Sequence, residues 1–318
     1  MLNEILVSGI EHAKVIYPKS EARMSNNKKS GLSRAARSVR EAGRVLRGKK
    51  KPLAKPLPVE SGTSAKPLYP EARKSIIVDI GMNDGKDTVY YRKRGFNVIA
   101  VEAIPDLCAA VTKHFEDLGV DGVDIRNCAV TDGTADEVTF YVNKFNSAWS
   151  SVNERIGSRK DGAEKIVVPA VDLSEELGPV SKQILYVKID IEGLDSVALS
   201  QIMNLPNLPK YVSVENGSLD MLETLHKNGY DRFKFSNQKY VEHQTISPSS
   251  PHGPVPDHKF ITSASGVFGE DIPGKWISYE DAVKVQEGLN IAAGLSPDNL
   301  FAVVVGWFDL HAKHSSAK

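Results

Sequence analysis

The chain has 318 residues, 41% of them hydrophobic and 25% charged, an ordinary balance for a globular enzyme with room for one large domain or a catalytic domain with appendages. No apolar run approaches the roughly 18–20 residues that a membrane-spanning helix needs, and MLNEILVSGIEHAKVIYPKS lacks the basic, apolar and small-residue blocks of a secretory leader. Two cysteines, Cys108 and Cys128, cannot build a disulfide framework and match no zinc spacing, so a reducing cytoplasm is the expected compartment.

A formal net charge of zero hides an asymmetry. Between Lys14 and Lys74, seventeen Lys and Arg stand against four Glu, a surplus of +13, whereas from Ser75 onward 23 basic residues face 34 acidic ones, a deficit of −11. Residues 1–74 hold few large apolar side chains and are expected to be a mostly disordered basic arm, because ordering would cost more entropy than burial could offset. Within it, Arg34, Arg37, Arg40, Arg44 and Arg47 recur at helical spacing. That pattern suits either a solvated arm or a basic helix that contacts an anionic membrane surface or nucleic acid. Pro52, Pro56, Pro58, Pro67 and Pro70 then read as an extended linker. Met24, opening MSNNKKS, is an alternative start.

From Ser75 strands alternate with helices, which predicts an α/β fold with a doubly wound, mostly parallel seven-stranded sheet. Ser75–Ile80 reads as a buried strand, followed by a Gly-rich turn and a helix from about Lys86. A second strand is expected at Asn97–Glu102, a helix at Pro105–Leu118 and a third strand at Val123–Val130. Glu137–Val142 and Lys165–Val171 read as short strands around a polar, Ser-rich stretch. Ile184–Ile189 is a central strand, Leu194–Ile202 a helix, Lys210–Glu215 a strand, Leu219–Asn228 a helix and Arg232–Phe235 a strand near the sheet edge. After Gln244, TISPSSPHGPVPDHKF is loop chemistry. Residues 245–318 are therefore separated from the 75–244 domain as a C-terminal extension packed on it, with HKFITSASGVFGEDIPGKW as a possible substrate lid. SYEDAVKVQEGLNIAAG reads as a helix capped by Ser278, and FAVVVGWFDL as a buried strand or helix end.

The chemistry concentrates in IIVDIGMNDGKDT, which follows a strand and opens a helix. Asp79 ends the strand, Gly81 permits a tight turn, and Gly85 is expected to lack a Cβ so that a ligand can approach. The loop is neither the G-x-G-x-x-G of dinucleotide binders nor a phosphate loop. A phosphate-free nucleoside ligand needs acceptors rather than a nest of donors. Glu102, ending the second strand, can accept both ribose hydroxyls, and Asn127 to Ala129 would present polar edges to an adenine ring.

Together VDIGMNDGKDT, AVEAIPD, NCAVTDG and LYVKIDIEGLDSVAL resemble the FkbM family of class I methyltransferases, over about Ser75–Phe235. The resemblance implies S-adenosylmethionine as cofactor, with Asp79, Gly81, Asn83, Gly85, Glu102, Asn127, Ala129 and Asp190 as its binding residues. The fourth-strand block supplies Lys188, Asp190, Glu192 and Gly193. Met82 and Asp84 depart from the smaller or apolar residues expected in the first loop; the charge of Asp84 would suit a cationic cofactor.

Asp79, Glu102, Asp190 and Glu215 all fall at expected carboxyl ends of strands, where ligands of open α/β sheets bind. Asp190 and Glu192 are the candidates for the base or for positioning the acceptor, or alternatively for holding the cofactor amine and capping the next helix. His258 is a further candidate base. No metal is expected: Asp190, Glu192 and Glu215 have no ligand spacing to check. The resemblance implies O-methylation of a hydroxyl on a glycan, a lipid-linked sugar or a secondary metabolite, with a small-molecule or glycan acceptor as partner. A nucleic-acid methyltransferase using the basic arm is a second possibility, weakened by the absence of an N/D-P-P-aromatic block and by the acidic catalytic part. A cofactor-binding interaction module without catalysis is a third.

Overall fold

A computed structural model describes residues 69–294 and 306–316. The basic arm with its Arg-rich stretch, the linker up to residue 68 and the start of FAVVVGWFDL lie outside the described residues.

The chain begins with β1 (Ile76–Ile80), α1 (Lys86–Lys93), β2 (Asn97–Glu102), α2 (Pro105–Asp117) and β3 (Val123–Asn127). All five residues of β1 are buried, as a strand covered on both faces requires. The expected strand Val123–Val130 is broken at Cys128. Its backbone N–H turns back to the carbonyls of Glu102 and Arg126, and β4 (Ala129–Val130) leaves for a second sheet. There β5 (Glu137–Asn143) and β6 (Ala163–Val171) form an antiparallel hairpin, with α3 (Glu154–Gly157) in the loop between them. This small sheet has the order β4-β6-β5.

The chain then returns through α4 (Leu173–Leu177), β7 (Ile184–Ile189), α5 (Asp195–Met203), β8 (Tyr211–Glu215), α6 (Leu219–Lys227) and β9 (Tyr230–Asn237). It closes with α7 (Tyr279–Gly294), where the Asp281 N–H donates to the Ser278 hydroxyl at 3.3 Å, and β10 (Phe308–His314). The main sheet has the order β3-β2-β1-β7-β8-β10-β9. The pairs β1–β2, β2–β3, β1–β7 and β7–β8 are parallel, whereas β10 runs antiparallel to both β8 and β9. The strand order reverses at β1, so the crevice for a ligand opens between the carboxyl ends of β1 and β7.

One expectation needs correcting here. The boundary drawn at residue 244 puts β10 in an extension, yet β10 is an inner strand without which β9 would have no partner. Seven strands are reached only by counting it.

Alternation along β7, β8 and β10 separates two faces. On one, Val187, Ile189, Val212, Val214, Leu310 and Ala312 pack with α5, α6 and α7 in a single apolar core. The opposite face carries Tyr186, Lys188, Tyr211, Ser213 and His311, all buried. Its cover is α1, through Tyr90 and Tyr91, and the segment 244–276, through Phe260, Ala264, Val267, Phe268 and Ile272. Much of the stretch expected as a lid is thus core. It is anchored by Arg94, whose guanidinium meets Asp271 at 2.9 Å, Tyr90 at 3.0 Å and Ser250 at 2.6 Å, with both charged side chains enclosed.

The sheet's own buried polar side chains on this face bond to one another, as burial favours. The Tyr186 hydroxyl donates to Ser213 at 2.9 Å, and His311 bridges Ser213 at 2.5 Å and Ser236 at 2.6 Å. Burial, then the charge of Lys234, pushes the His311 imidazole down to about 3, so it is a neutral structural linker.

Candidate functional site

The carboxyl ends of β1, β2, β3 and β7 bring together Gly81, Asn83, Glu102, Asn127 and Asp190. Gly81 has φ +84°, and a Cβ there would lie 1.8 Å from the Asp190 carbonyl oxygen. The turn after β1 therefore sits directly against the turn after β7. Asn83, Glu192 and Asn216 also have positive φ, at 50°, 51° and 48°. These follow β1, β7 and β8, so non-glycine backbone strain gathers along one edge of the sheet, as it does at functional sites.

Glu102 is the keystone of the first loop. Its two carboxylate oxygens accept the backbone N–H groups of Asn83 and Ile104, each at 2.8 Å. Burial raises its pKa, opposed by those same hydrogen bonds. The Asn127 amide donates to the carbonyls of Glu102 and Ala103, both at 3.0 Å, which fixes the strand end beside it. Ala129 is buried in the small core of Ile104, Leu107 and Phe140.

Three sequence expectations acquire different physical reasons. Asp79 is completely buried: it accepts the Thr88 hydroxyl at 2.7 Å and lies 3.3 Å from the Lys188 ammonium. It therefore props the loop from behind. A Cβ on Gly85 would meet Val111 of α2 at 2.8 Å, with φ +80°, so this glycine answers to helix packing and turn geometry. Asp84 is paired with Lys86, so its charge is not free for a cofactor.

Lys188, named above only as part of the fourth-strand block, is the hub. Its buried ammonium donates to the Gly81 carbonyl at 3.0 Å and lies 3.3 Å from Asp79, 3.5 Å from Asp190 and 3.8 Å from Asp87. Desolvation opposes its charge, but Asp79, Asp190 and Asp87 together hold its pKa well above the ordinary lysine value. Asp87 is pushed up to about 6, first by burial, against the pull of Lys188. Its carboxylate also accepts the backbone N–H and the hydroxyl of Ser265, both at 2.9 Å, tying segment 244–276 to the start of α1.

Asp190 is the exposed member of this network, with 34% of its side chain accessible. Register carries the carboxylate row onward: Ile189 is opposite Val214, which sets Asp190 level with Glu215, and Glu215 is opposite Asp309. The Glu215 pKa is strongly raised, first by burial and then by Asp190, Asp309 and Glu192. The Asp309 pKa is raised by burial and by Asp190. A signal for this row existed in the alternation of YVSVE and FDLHAKH, but it needed the β8–β10 pairing to be seen.

Glu192 is held by Arg159 at 2.8 Å, and its pKa is raised by burial against that ion pair. The following helix has no side-chain cap; its first residue, Asp195, instead ties down the preceding turn by accepting the N–H groups of Ile191 at 3.0 Å and Gly193 at 3.1 Å. Asp195→Ala is expected to cost about 1 kcal/mol and to weaken nucleoside binding by loosening this loop; urea unfolding and calorimetry would register both. His258 is not among the strand-end groups: its ring packs on Tyr90 and Phe260, centroids 5.0 and 4.8 Å away, in the aromatic layer beside α1.

Carboxylates and carbonyls dominate this edge, with strained turns closing it and no phosphate nest. That donor set fits a phosphate-free, cationic nucleoside ligand. Residues 79–232 match the Methyltransferase FkbM domain, which bears out the resemblance read from the motifs and gives S-adenosylmethionine as the cofactor. No curated protein matches. Among solved structures, a precorrin-6y C5,15-methyltransferase from Geobacter metallireducens GS-15 is 10% identical at TM-score 0.29, covering 51% of this chain and 66% of its own. A dimethyladenosine transferase from Plasmodium falciparum is 10% identical at TM-score 0.28, covering 53% and 51%. A geranyl diphosphate C-methyltransferase from Streptomyces coelicolor A3(2) is 11% identical at TM-score 0.35, covering 78% and 76%. The chain thus spans from about half to three quarters of these proteins, and likenesses so distant bear on neither substrate nor chemistry.

Proposed function

We propose, from the premise that residues 79–232 form an FkbM methyltransferase domain, that the protein methylates a hydroxyl oxygen of a glycan, a lipid-linked sugar or a secondary metabolite. One observation carries the reading. Asp190 presents a part-exposed carboxylate at the β1–β7 switch point, backed by the buried Lys188 and the half-buried Glu215.

An alcohol is a weak nucleophile until its proton is removed, and a carboxylate within hydrogen-bond reach can take it. When bound, S-adenosylmethionine supplies the electrophilic methyl group. Gly81, Asn83, Glu102 and Asn127 would hold and orient it. Asp190 would accept the hydroxyl proton, while Lys188 and the Glu215 carboxyl set its charge. Glu192, tethered by Arg159, positions the loop. No metal is needed for this chemistry. Among the described residues no helix is long and apolar enough to cross a membrane. Buried free Cys108 and Cys128 suit a cytoplasmic setting.

Calorimetry with S-adenosylhomocysteine, followed by methyl transfer to a panel of glycan, lipid-linked and phenolic alcohols, is the test. Wild type and Asp190→Asn should both bind the nucleoside, and the variant should lose about 10²–10⁴-fold in transfer rate. Absence of nucleoside binding would end the methyltransferase reading, and full transfer by Asp190→Asn would remove Asp190 from the chemistry.

A further inference from the structure

Between β5 and β6 the chain builds an exposed aromatic platform on the rim of the site. Phe145 is 55% exposed, and its ring stacks on Trp149 with centroids 5.4 Å apart and planes inclined by 23°. The Lys160 ammonium lies 3.9 Å from the Phe145 centroid and 4.7 Å from that of Trp149, and the Arg159 guanidinium 5.2 Å from Trp149. Arg159 is already committed to Glu192. Among the described residues Lys160 has no ion-pair partner, only the two rings.

This surface is built, not incidental. Asn143, completely buried, donates to the carbonyls of Gly157 and Arg159, both at 2.8 Å. Its amide oxygen accepts the N–H groups of Phe145 and Asn146, both at 2.9 Å, so one side chain pins both limbs of the loop. Three bonds then join the loop to the site: Ser147 to the Asn83 side chain at 3.2 Å, Ser151 to the Glu192 carbonyl at 2.7 Å, and Arg159 to the Glu192 carboxylate at 2.8 Å. Both turns that frame the nucleoside crevice are therefore held by the platform.

Its chemistry specifies what it takes. From Asn143 to Lys165 five basic residues stand against three acidic ones, in a catalytic part that carries 34 acidic residues against 23 basic ones from Ser75 onward. An unpaired ammonium over a ring attracts an anion, and an aromatic face takes up apolar C–H surface. Asn146, Ser147 and Ser158 flank the two rings along the chain and are part-exposed, which suits a ring with one apolar face and a hydroxyl-rich edge. A planar aromatic acceptor would favour a slot closed on both faces.

We propose that Phe145 and Trp149 dock the methyl acceptor and that this acceptor is an anionic sugar, its carboxylate or phosphate received by Lys160. The proposal rests on the O-methyltransferase reading and names its substrate class.

The full chain, saturated with S-adenosylhomocysteine, is examined by ligand-observed saturation-transfer NMR. The probes are methyl β-glucuronide, glucose 1-phosphate, methyl β-glucoside and 4-hydroxybenzoate. At least one anionic sugar should receive saturation at its ring protons, with the neutral glucoside about threefold weaker, the scale of an exposed ion pair. A uronate and a sugar phosphate are separated by which of the first two probes responds. Trp149→Ala should abolish the signal, and Lys160→Glu should bring the anionic probe down to the glucoside level. Nucleoside binding by calorimetry should be unchanged in both variants. Equal signals from neutral and anionic sugars, a response from 4-hydroxybenzoate alone, no response to any probe, or full binding by Trp149→Ala would each overturn the proposal while the donor reading stands. Failure of wild type to bind S-adenosylhomocysteine would instead sink that reading and this one with it.

Discussion

Replacing Lys188 with methionine is expected to lower the unfolding free energy by about 3–5 kcal/mol, the usual cost of removing one partner from a buried ionic group, and to abolish nucleoside binding. Asp79 is completely buried and Asp87 nearly so, and the Lys188 ammonium is the cation that approaches both. Methionine keeps most of the volume but leaves two enclosed carboxylates uncompensated and the Gly81 carbonyl without its donor. The sign of the pH dependence follows. Burial already holds Asp87 up at about 6 while Lys188 pulls it down. Without the ammonium, the folded-state pKa rises further above the unfolded value. A carboxyl raised in this way contributes stability that is complete in acid and lost as pH rises. The variant's deficit should therefore be larger at pH 8 than at pH 5, in urea unfolding followed by circular dichroism. Adding Asp79→Asn to Lys188→Met should recover part of the loss, because the two residues are directly coupled. Equal deficits at both pH values would show that the network is not held by charge.

Much of this arrangement could be read in the sequence, and the reasons are local. The turn after β1 advertises itself because Gly81 must approach the Asp190 carbonyl and take a left-handed φ, which leaves a spaced-glycine trace. Glu102 and Asp190 could be placed because strand ends follow from apolar runs. The failures are non-local. The expected strand Val123–Val130 has no Gly or Pro to mark a break, and only the pairing of β4 with β6 divides it. In FDLHAKH, Asp309, His311 and Lys313 alternate with Leu310 and Ala312, which by pattern alone describes a strand with one wet face. That face is dry because segment 244–276, rich in Pro and Ser and loop-like in composition, lays Phe260 and Phe268 over it. Alternation tells which residues share a face; it does not tell what covers that face. For the same reason Lys188 looked like a member of a motif, and its three carboxylate neighbours come from β1, α1 and the turn after its own strand.

The second large effect has the opposite sign. Glu215→Gln and Asp309→Asn are each expected to stabilise the protein by about 2 kcal/mol at pH 8 and to change little at pH 3, below the ordinary values of both groups, an effect of about one and a half pKa units after discounting for relaxation. Both carboxyls are raised above their ordinary values of 4.5 and 3.8 by burial and by acidic neighbours. Below those values folded and unfolded chains are equally protonated. As pH rises, the unfolded chain releases protons that the folded chain retains, so native stability falls. An amide removes that penalty and matches the shape. The groups facing the pair are Asp190 and Glu192, which worsen it, and Lys188, which relieves Asp309. One oxygen of Asp309 has no hydrogen-bond partner among the described residues, so this strand end is held in an unfavourable electrostatic state. Such a state is what a site for a cationic ligand costs when the ligand is away: a positive charge beside Asp190 would relieve the row. The same amide substitutions should therefore narrow the preference of the protein for S-adenosylmethionine over the uncharged S-adenosylhomocysteine, measured by calorimetry as a ratio of dissociation constants. Stabilisation without any change in that ratio would mean that the row senses its own burial and not the donor's charge.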